Sequence, residues 1–560
     1  MARKITRLLL LASLLLIGLI TTRSGHYLPI LTVATSETPT LRITDEVRQQ
    51  CQRWMGSMLS QSTVEVDSDS KTVDLDQLSR VRIFNQCVFK VNTRCNPEVE
   101  RSTFDWLSGM APRITNTKVK NEPLFRANAN ECYTQAIQST LRGKGLVLTA
   151  TDAHFKSILN LIVLLRTLDT RMSLQIVHKG EISDFSQQRL LLAATSNWSG
   201  DRTIMSMLRN PKYKSSFRKL DLSFIDVSLA IKPEYKDRFV RFNNKLLANF
   251  FNTFEESMLI DTDTVFLKSP DEFLQFDQYI SKGTFFFKDR SLANTHKSAG
   301  SISMFKSMLP TMEDAKYGIN QVSSYTLNQR FFHGFLHLQE AGVVLIDRRR
   351  HFETSLMAAH LSLHRESIME LTWGDKELYW LSFAISGDES YHFNHNHAAS
   401  VGELSPDPDH SHYPHLHNLR EICSSHPAHI ADDNHTLLWM NSGFKHCKKT
   451  MYHDETNPFF KGWTQEEKKK YNTGPIRIKA ALIPPEPPTP GLTPVDDIPT
   501  RGWVPRDYCE MYTICAYTDV AGYKDKGILL EFSEEEQHWF NYLSNSWFSS
   551  IDVLKHLARL

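Results

Sequence analysis

Met258-Leu259-Ile260-Asp261-Thr262-Asp263-Thr264-Val265-Phe266-Leu267-Lys268-Ser269-Pro270 is the stretch that decides the fold. Its apolar run is too short for a helix and meets two carboxylates spaced i, i+2, which reads as a buried strand of an α/β sheet. Ligands in such sheets bind outside the carboxyl ends of the strands, where Asp261 and Asp263 would sit. Two hard oxygen donors there suit Mn²⁺ or Mg²⁺, which keep some waters and share the rest of their shell with phosphate oxygens. The same spacing recurs at Asp67/Asp69, Asp74/Asp76 and Asp407/Asp409, but in polar or Pro-rich contexts without a preceding strand.

Outward from this strand the α/β pattern continues. Gly143–Ala150 is a glycine-opened apolar run, and Ile158, Leu161, Ile162 and Leu165 repeat at helical spacing within Phe155–Leu168. Leu174–His178 then closes a parallel strand–helix–strand unit. An amphipathic helix over 236–254 leads into the Asp261 strand. Further strands are expected at Gly283–Phe287, ending in Lys288-Asp289-Arg290, and at Ala341–Asp347.

With 560 residues, 41% of them hydrophobic, the chain can bury one large core or two ordinary ones. Lys+Arg 64 against Asp+Glu 63 gives a net charge of +1, and no basic block points to nucleic acid. Arg3, Lys4 and Arg7 precede the apolar run 8–20, an export signal with the N-terminus in the cytoplasm. No small-residue cleavage site follows, so an uncleaved signal-anchor is favoured over a cleaved peptide. The run is short beside the roughly 20 residues of a usual span. Eight cysteines without a C-x-x-C spacing point to disulfides in an oxidising compartment. Cys509 with Cys515 would close a short loop. Asn197-Trp198-Ser199 and Asn434-His435-Thr436 are N-glycosylation acceptors. The expected order is a cytoplasmic tail (1–7), anchor (8–22), lumenal stem (23–120), catalytic domain (121–480), and a Pro-rich connector with C-terminal extension (481–560).

Six motifs occur in order: Gly145-Leu-Val-Leu-Thr-Ala150, the stretch Glu255–Pro270, Gly283-Thr-Phe-Phe-Phe-Lys-Asp-Arg290, Ala341-Gly-Val-Val-Leu-Ile-Asp347, Trp373-Gly-Asp-Lys-Glu377 and Leu438-Trp-Met-Asn-Ser-Gly443. Together they resemble the fungal Golgi α-1,3-mannosyltransferases of the MNN group over residues 140–450. The resemblance implies a GT-A-like Rossmann-type sheet behind an anchor and stem, and a single-pass type II protein of the Golgi membrane. It also implies GDP-mannose as donor, Mn²⁺ as metal, mannose-terminated N- or O-glycans as acceptors, retention of the α configuration, and complexes with other Golgi mannosyltransferases.

On that reading Asp261 and Asp263 hold the metal, with His446 as a candidate third ligand. Thr149 and Ala150 line the base and ribose pocket by analogy of position. Lys245 reaches the diphosphate or the donor sugar; the alternative is a solvated helix face. Asp289 and Arg290 offer a phosphate grip or a structural pair. Asp375 is the candidate carboxylate at the reacting sugar, with Glu377 second and Lys376 between them; the alternative is a helix N-terminus whose acids favour the macrodipole. His392, His395, His397, His410, His412, His415 and His417 lack a zinc spacing and read as an exposed loop. Asp261-Thr-Asp-Thr264 also fits the haloacid-dehalogenase phosphatase pattern, but neither Gly374-Asp375 nor Gly387-Asp388 is followed by that pattern's second acid. A catalytically silent Golgi subunit is the non-enzyme alternative.

Overall fold

Central strands buried on both faces build the first sheet, as their near-continuous apolar runs require. In chain order its members are β1 (Arg113–Thr115), β2 (Glu122–Pro123), β3 (Lys144–Thr149), β4 (Ser173–His178), β5 (Leu222–Asp226) and β6 (Glu256–Ile260). After β7 (Val265–Phe266), which leaves for a second sheet, come β8 (Thr284–Lys288) and β9 (Gln339–Asp347). The order is β2-β1-β5-β4-β3-β6-β9-β8, and half-buried β1 and exposed β2 close one edge. β5, β4, β3 and β6 run parallel, whereas β9 is antiparallel to β6 and to β8. From β3 the chain winds one way to β4 and β5, and later returns to place β6 on the other side. The crevice between the carboxyl ends of β3 and β6 is therefore the topological switch point, the usual ligand position in open α/β sheets.

This computed structural model describes residues 43–58, 73–126, 128, 130–213, 215–292, 298–335, 337–405, 419–449, 460–487, 502–506, 508–520 and 525–559. The expected tail and anchor lie outside the described residues, and among these no helix is long and apolar enough to cross a membrane.

The helix Phe155–Thr167 links β3 to parallel β4 and buries Ile158, Leu161, Ile162 and Leu165, as its spacing predicts. The helix expected over 236–254 is shorter. Arg241 takes a left-handed φ of +54°, which separates a 3₁₀ turn, Pro233–Arg238, from the helix Asn243–Phe251.

A second, six-stranded antiparallel sheet was not legible as such. Its order is β17-β14-β10-β12-β13-β7. Its other strands are β10 (Ala399–Gly402), β12 (Pro427–Ile430), β13 (Leu437–Met440), β14 (Ala480–Ile483) and β17 (Ile528–Glu531). β11 (Glu421–Ser424), β15 (Trp503–Arg506) and β16 (Thr513–Tyr517) form a third. Because β7 pairs with β13, the turn Asp261–Thr264 carries the chain from the first sheet into the second.

Residues 43–560 form one compact unit, so the boundaries expected at 120 and 480 do not divide it. Alternation along the strands explains why. Val147, Leu259 and Val344 face one core, which also takes Trp54, Phe84 and Trp106 from the segment read as a stem. Leu146, Leu148, Met258 and Ile260 face the other, which takes Phe540 and Trp547 from the segment read as an extension.

All eight cysteines are bridged, as Cys51–Cys87, Cys95–Cys132, Cys423–Cys515 and Cys447–Cys509. The short-loop pairing of Cys509 with Cys515 is thus corrected. Cys515 lies opposite Cys423 in the β11–β16 register, whereas Cys509 sits in the turn before β16. Asn197 and Asn434 are both exposed.

Three buried histidines set an acid limit on stability. Burial lowers the pKa of His360 to about 3, and of His364 and His429 to about 4. Their neutral forms contribute stability that is complete above the unfolded value of about 6.5 and is lost as pH falls towards those folded values. Each pH unit in that window removes about 1.4 kcal/mol per histidine. The melting temperature should therefore fall steadily from pH 6.5 to 4.5; a flat profile would contradict this account.

A candidate active site at the switch point

The turn Asp261–Thr264 is shaped by its threonine. Buried Thr264 donates its hydroxyl to Gly342 O at 2.8 Å and accepts from Asp261 N at 3.1 Å. The neighbouring strand comes this close because Gly342 has no side chain: a Cβ would lie 2.8 Å from the Trp439 ring and 2.9 Å from the Asn441 amide. The Thr264 hydroxyl therefore holds the turn without either carboxylate, and each acid has 27% of its side chain exposed.

Lys245 is at the centre. It is buried rather than solvated, and its ammonium lies 2.9 Å from both Asp261 Oδ1 and Asp375 Oδ2 and donates to Ala341 O at 2.9 Å. Three donors meet three acceptors. Desolvation would lower its pKa, but the charges of Asp261 and Asp375 overcome that and raise it. Tyr379 also donates to Asp375 Oδ2, at 2.7 Å. Asp263 pairs with Lys448 at 3.1 Å. Desolvation, with Asp263 and Asp375 nearby, raises the pKa of Asp261 despite Lys245.

A second circuit adjoins the first through Asn441, whose amide reaches Glu340 Oε1 at 3.1 Å and Asp261 Oδ2 at 3.4 Å. Lys376 binds Asp289 Oδ2 at 2.6 Å and Glu340 Oε2 at 3.1 Å. Against desolvation, Lys376 and Arg290 hold the Asp289 carboxyl well below the usual range. Arg290 Nε stands 3.8 Å from Asp289 Oδ1, the structural pair of the two readings. Glu340 was missed in the sequence because it sits at the head of an apolar strand. Its signal was a lone carboxylate beside Ala341-Gly342-Val343-Val344.

Three expectations change. Glu377 does not face a ligand: its carboxylate accepts from Leu338 N at 2.7 Å and Trp380 Nε1 at 2.6 Å, fixing the start of β9. The His446 ring packs on Tyr471 at 4.4 Å, and burial lowers its pKa to about 3. It does not join Asp261 and Asp263 in a metal-sized cluster. His397 is buried, not in an exposed loop; it donates Nδ1–H to Asp289 O at 2.8 Å and meets Glu486 at 2.8 Å. His410, His412, His415 and His417 lie outside the described residues. Thr149 is the last residue of β3, the strand beside β6, and Ala150 follows it.

These donors fit a divalent cation. Asp261, Asp263 and Asp375 face two lysines, Lys245 and Lys448, and that surplus negative charge is what an ion would neutralise. Among the described residues no third side chain completes a cage around Asp261 and Asp263. Such a site suits an ion that keeps waters or takes oxygens from its substrate.

Residues 143–431 match the protein family described as "Mannosyltransferase putative". The Candida albicans protein named "Putative alpha-1,3-mannosyltransferase MNN1" is 34% identical over 465 residues, 75% of this chain and 57% of its own. The protein named "Putative alpha-1,3-mannosyltransferase MNN15", from the same yeast, is 30% identical over 90% of this chain and 76% of its own. The chain thus spans about three-fifths of the length of the first relatives it matches. The solved bifunctional glycosyltransferase WbbM is 15% identical over 45% of this chain and 38% of its own, with a TM-score of 0.26, a likeness too slight to carry an inference.

Proposed function

Since this chain belongs to the fungal α-1,3-mannosyltransferase family, we propose that it transfers mannose from GDP-mannose to mannose-terminated glycans, with a divalent metal and retention of configuration. The observation that carries this reading is the Lys245 bridge, which ties a metal-type acid, Asp261, to a buried second acid, Asp375, at the switch point. The diphosphate would lie over the β3–β6 crevice and the sugar towards Asp375.

A cation bound by Asp261 and Asp263 would stabilise the charge that develops on the departing diphosphate. Lys245 fixes the Asp261 and Asp375 carboxylates in one geometry. Lys245 and Tyr379 both take Asp375 Oδ2, leaving Oδ1 to accept a sugar hydroxyl. Lys448, partly exposed beside Asp263, is free to turn towards phosphate. Glu340 and Asp289 hold Lys376 at the rim. The four disulfides support export to an oxidising compartment. The proposal includes anchorage in the Golgi membrane with a lumenal site, and N- or O-glycans of glycoproteins as acceptors.

Calorimetric titration with GDP-mannose and with UDP-sugars, with and without Mn²⁺, tests this. Mn²⁺-dependent binding of GDP-mannose is the expected result. Preference for a UDP-sugar would overturn the mannose assignment, and no nucleotide-sugar binding would favour the phosphatase or silent-subunit reading.

A further inference from the structure

Two of the most exposed aromatic rings among the described residues stand beside the buried pair Lys245 and Asp375. Trp373 is 63% exposed and Phe242 is 61% exposed. Trp373 lies two residues before Asp375, and Phe242 lies three before Lys245, whose backbone N–H donates to Phe242 O at 3.0 Å. The two segments are pressed together. A Cβ on Gly374 would lie 3.1–3.2 Å from the Phe242 side chain, and Gly374 takes a φ of +92°. Trp373 itself has a φ of +52°, which is rare for a bulky residue, and its ring meets His337 edge-on at 4.6 Å. Hydrophobic burial does not account for rings held out in solvent in this way.

From this arrangement we propose that Trp373 and Phe242 form a platform for the terminal pyranose of the acceptor glycan. The proposal rests on the glycosyltransferase reading of the site and deepens it. A pyranose has one face of polarised C–H groups and a rim of hydroxyls. The negative π faces of the rings suit the first, and the adjoining carboxylates suit the second. Position places the platform away from the nucleotide and beside the donor sugar at Asp375, which the acceptor must meet. The nucleotide belongs at the β3–β6 crevice with Thr149 and Ala150, whereas Asp375 is tied by Lys245 to Ala341 of β9, beyond β6. Rings so open to solvent also suit a sugar whose remaining chain must trail into solvent.

The test titrates the purified protein with mannobiose alone, read by saturation-transfer NMR, and separately with GDP, for wild type, Trp373→Ala and Trp373→Phe. Since Trp373 is exposed, both variants should keep the wild-type melting temperature. Mannobiose affinity should fall about 10-fold in Trp373→Ala and stay within about threefold in Trp373→Phe. Equal mannobiose affinity in Trp373→Ala, no mannobiose binding by wild type, or a parallel loss of GDP affinity would overturn the platform. The last would mark Trp373 as a nucleobase shelf. If Trp373-dependent mannobiose binding persists while GDP-mannose fails to bind, the platform stands and the donor assignment falls.

Discussion

Asp261→Ala and Asp263→Ala should each lower mannosyl transfer by about a thousandfold or more, while the protein remains folded. The fold should survive because the turn is held by Thr264 and Gly342, not by the carboxylates. Among the described residues Asp263 pairs with the partly exposed Lys448, an interaction of about 0–1 kcal/mol. In Asp261→Ala the ammonium of Lys245 keeps Asp375 and the Ala341 carbonyl. Radiolabelled mannose transfer measured beside the melting temperature separates activity from folding. Wild-type turnover by either variant would remove the metal-site assignment.

Lys245→Met should be costly in a different way. It leaves the Asp375 carboxylate, with 3% of its side chain exposed, without its cation. Breaking a buried pair from one side typically costs about 3–5 kcal/mol, since the remaining charge stays desolvated. Transfer should be lost as well. The double variant Lys245→Met/Asp375→Asn removes both charges and should recover much of the stability without recovering transfer. Denaturant unfolding of Lys245→Met, Asp375→Asn and the double variant gives the coupling directly. If the single variant is as stable as wild type, the bridge does not hold the site together.

The β3–helix–β4 unit and β6 were legible because apolar period and length distinguish strands from helices locally. The second sheet was not: β10, β12 and β13 are four residues each, and although β12 pairs with adjacent β13, the partners that complete the sheet, β7 for β13 and β14 for β10, lie far away in sequence. The stem and extension misled because a polar, cysteine-bearing segment gives no sign of the core that receives its few apolar residues, such as Trp54 or Trp547. In the site, Asp261, Asp263 and Asp375 could be selected from strand-end and glycine-turn context. The burial of Lys245, the hold on Glu377 and the role of Glu340 depend on contacts between segments, which spacing does not report.

The turn that ends one sheet and opens the other also acts as a mechanical joint. A ligand that stiffens Asp261–Thr264 braces β6 and β9 on one side and β7 and β13 on the other. The free energy of donor binding would then stabilise both sheets together. Heated with its ligand, the molecule should still melt in one cooperative step at a higher temperature, with neither sheet loosening before the other.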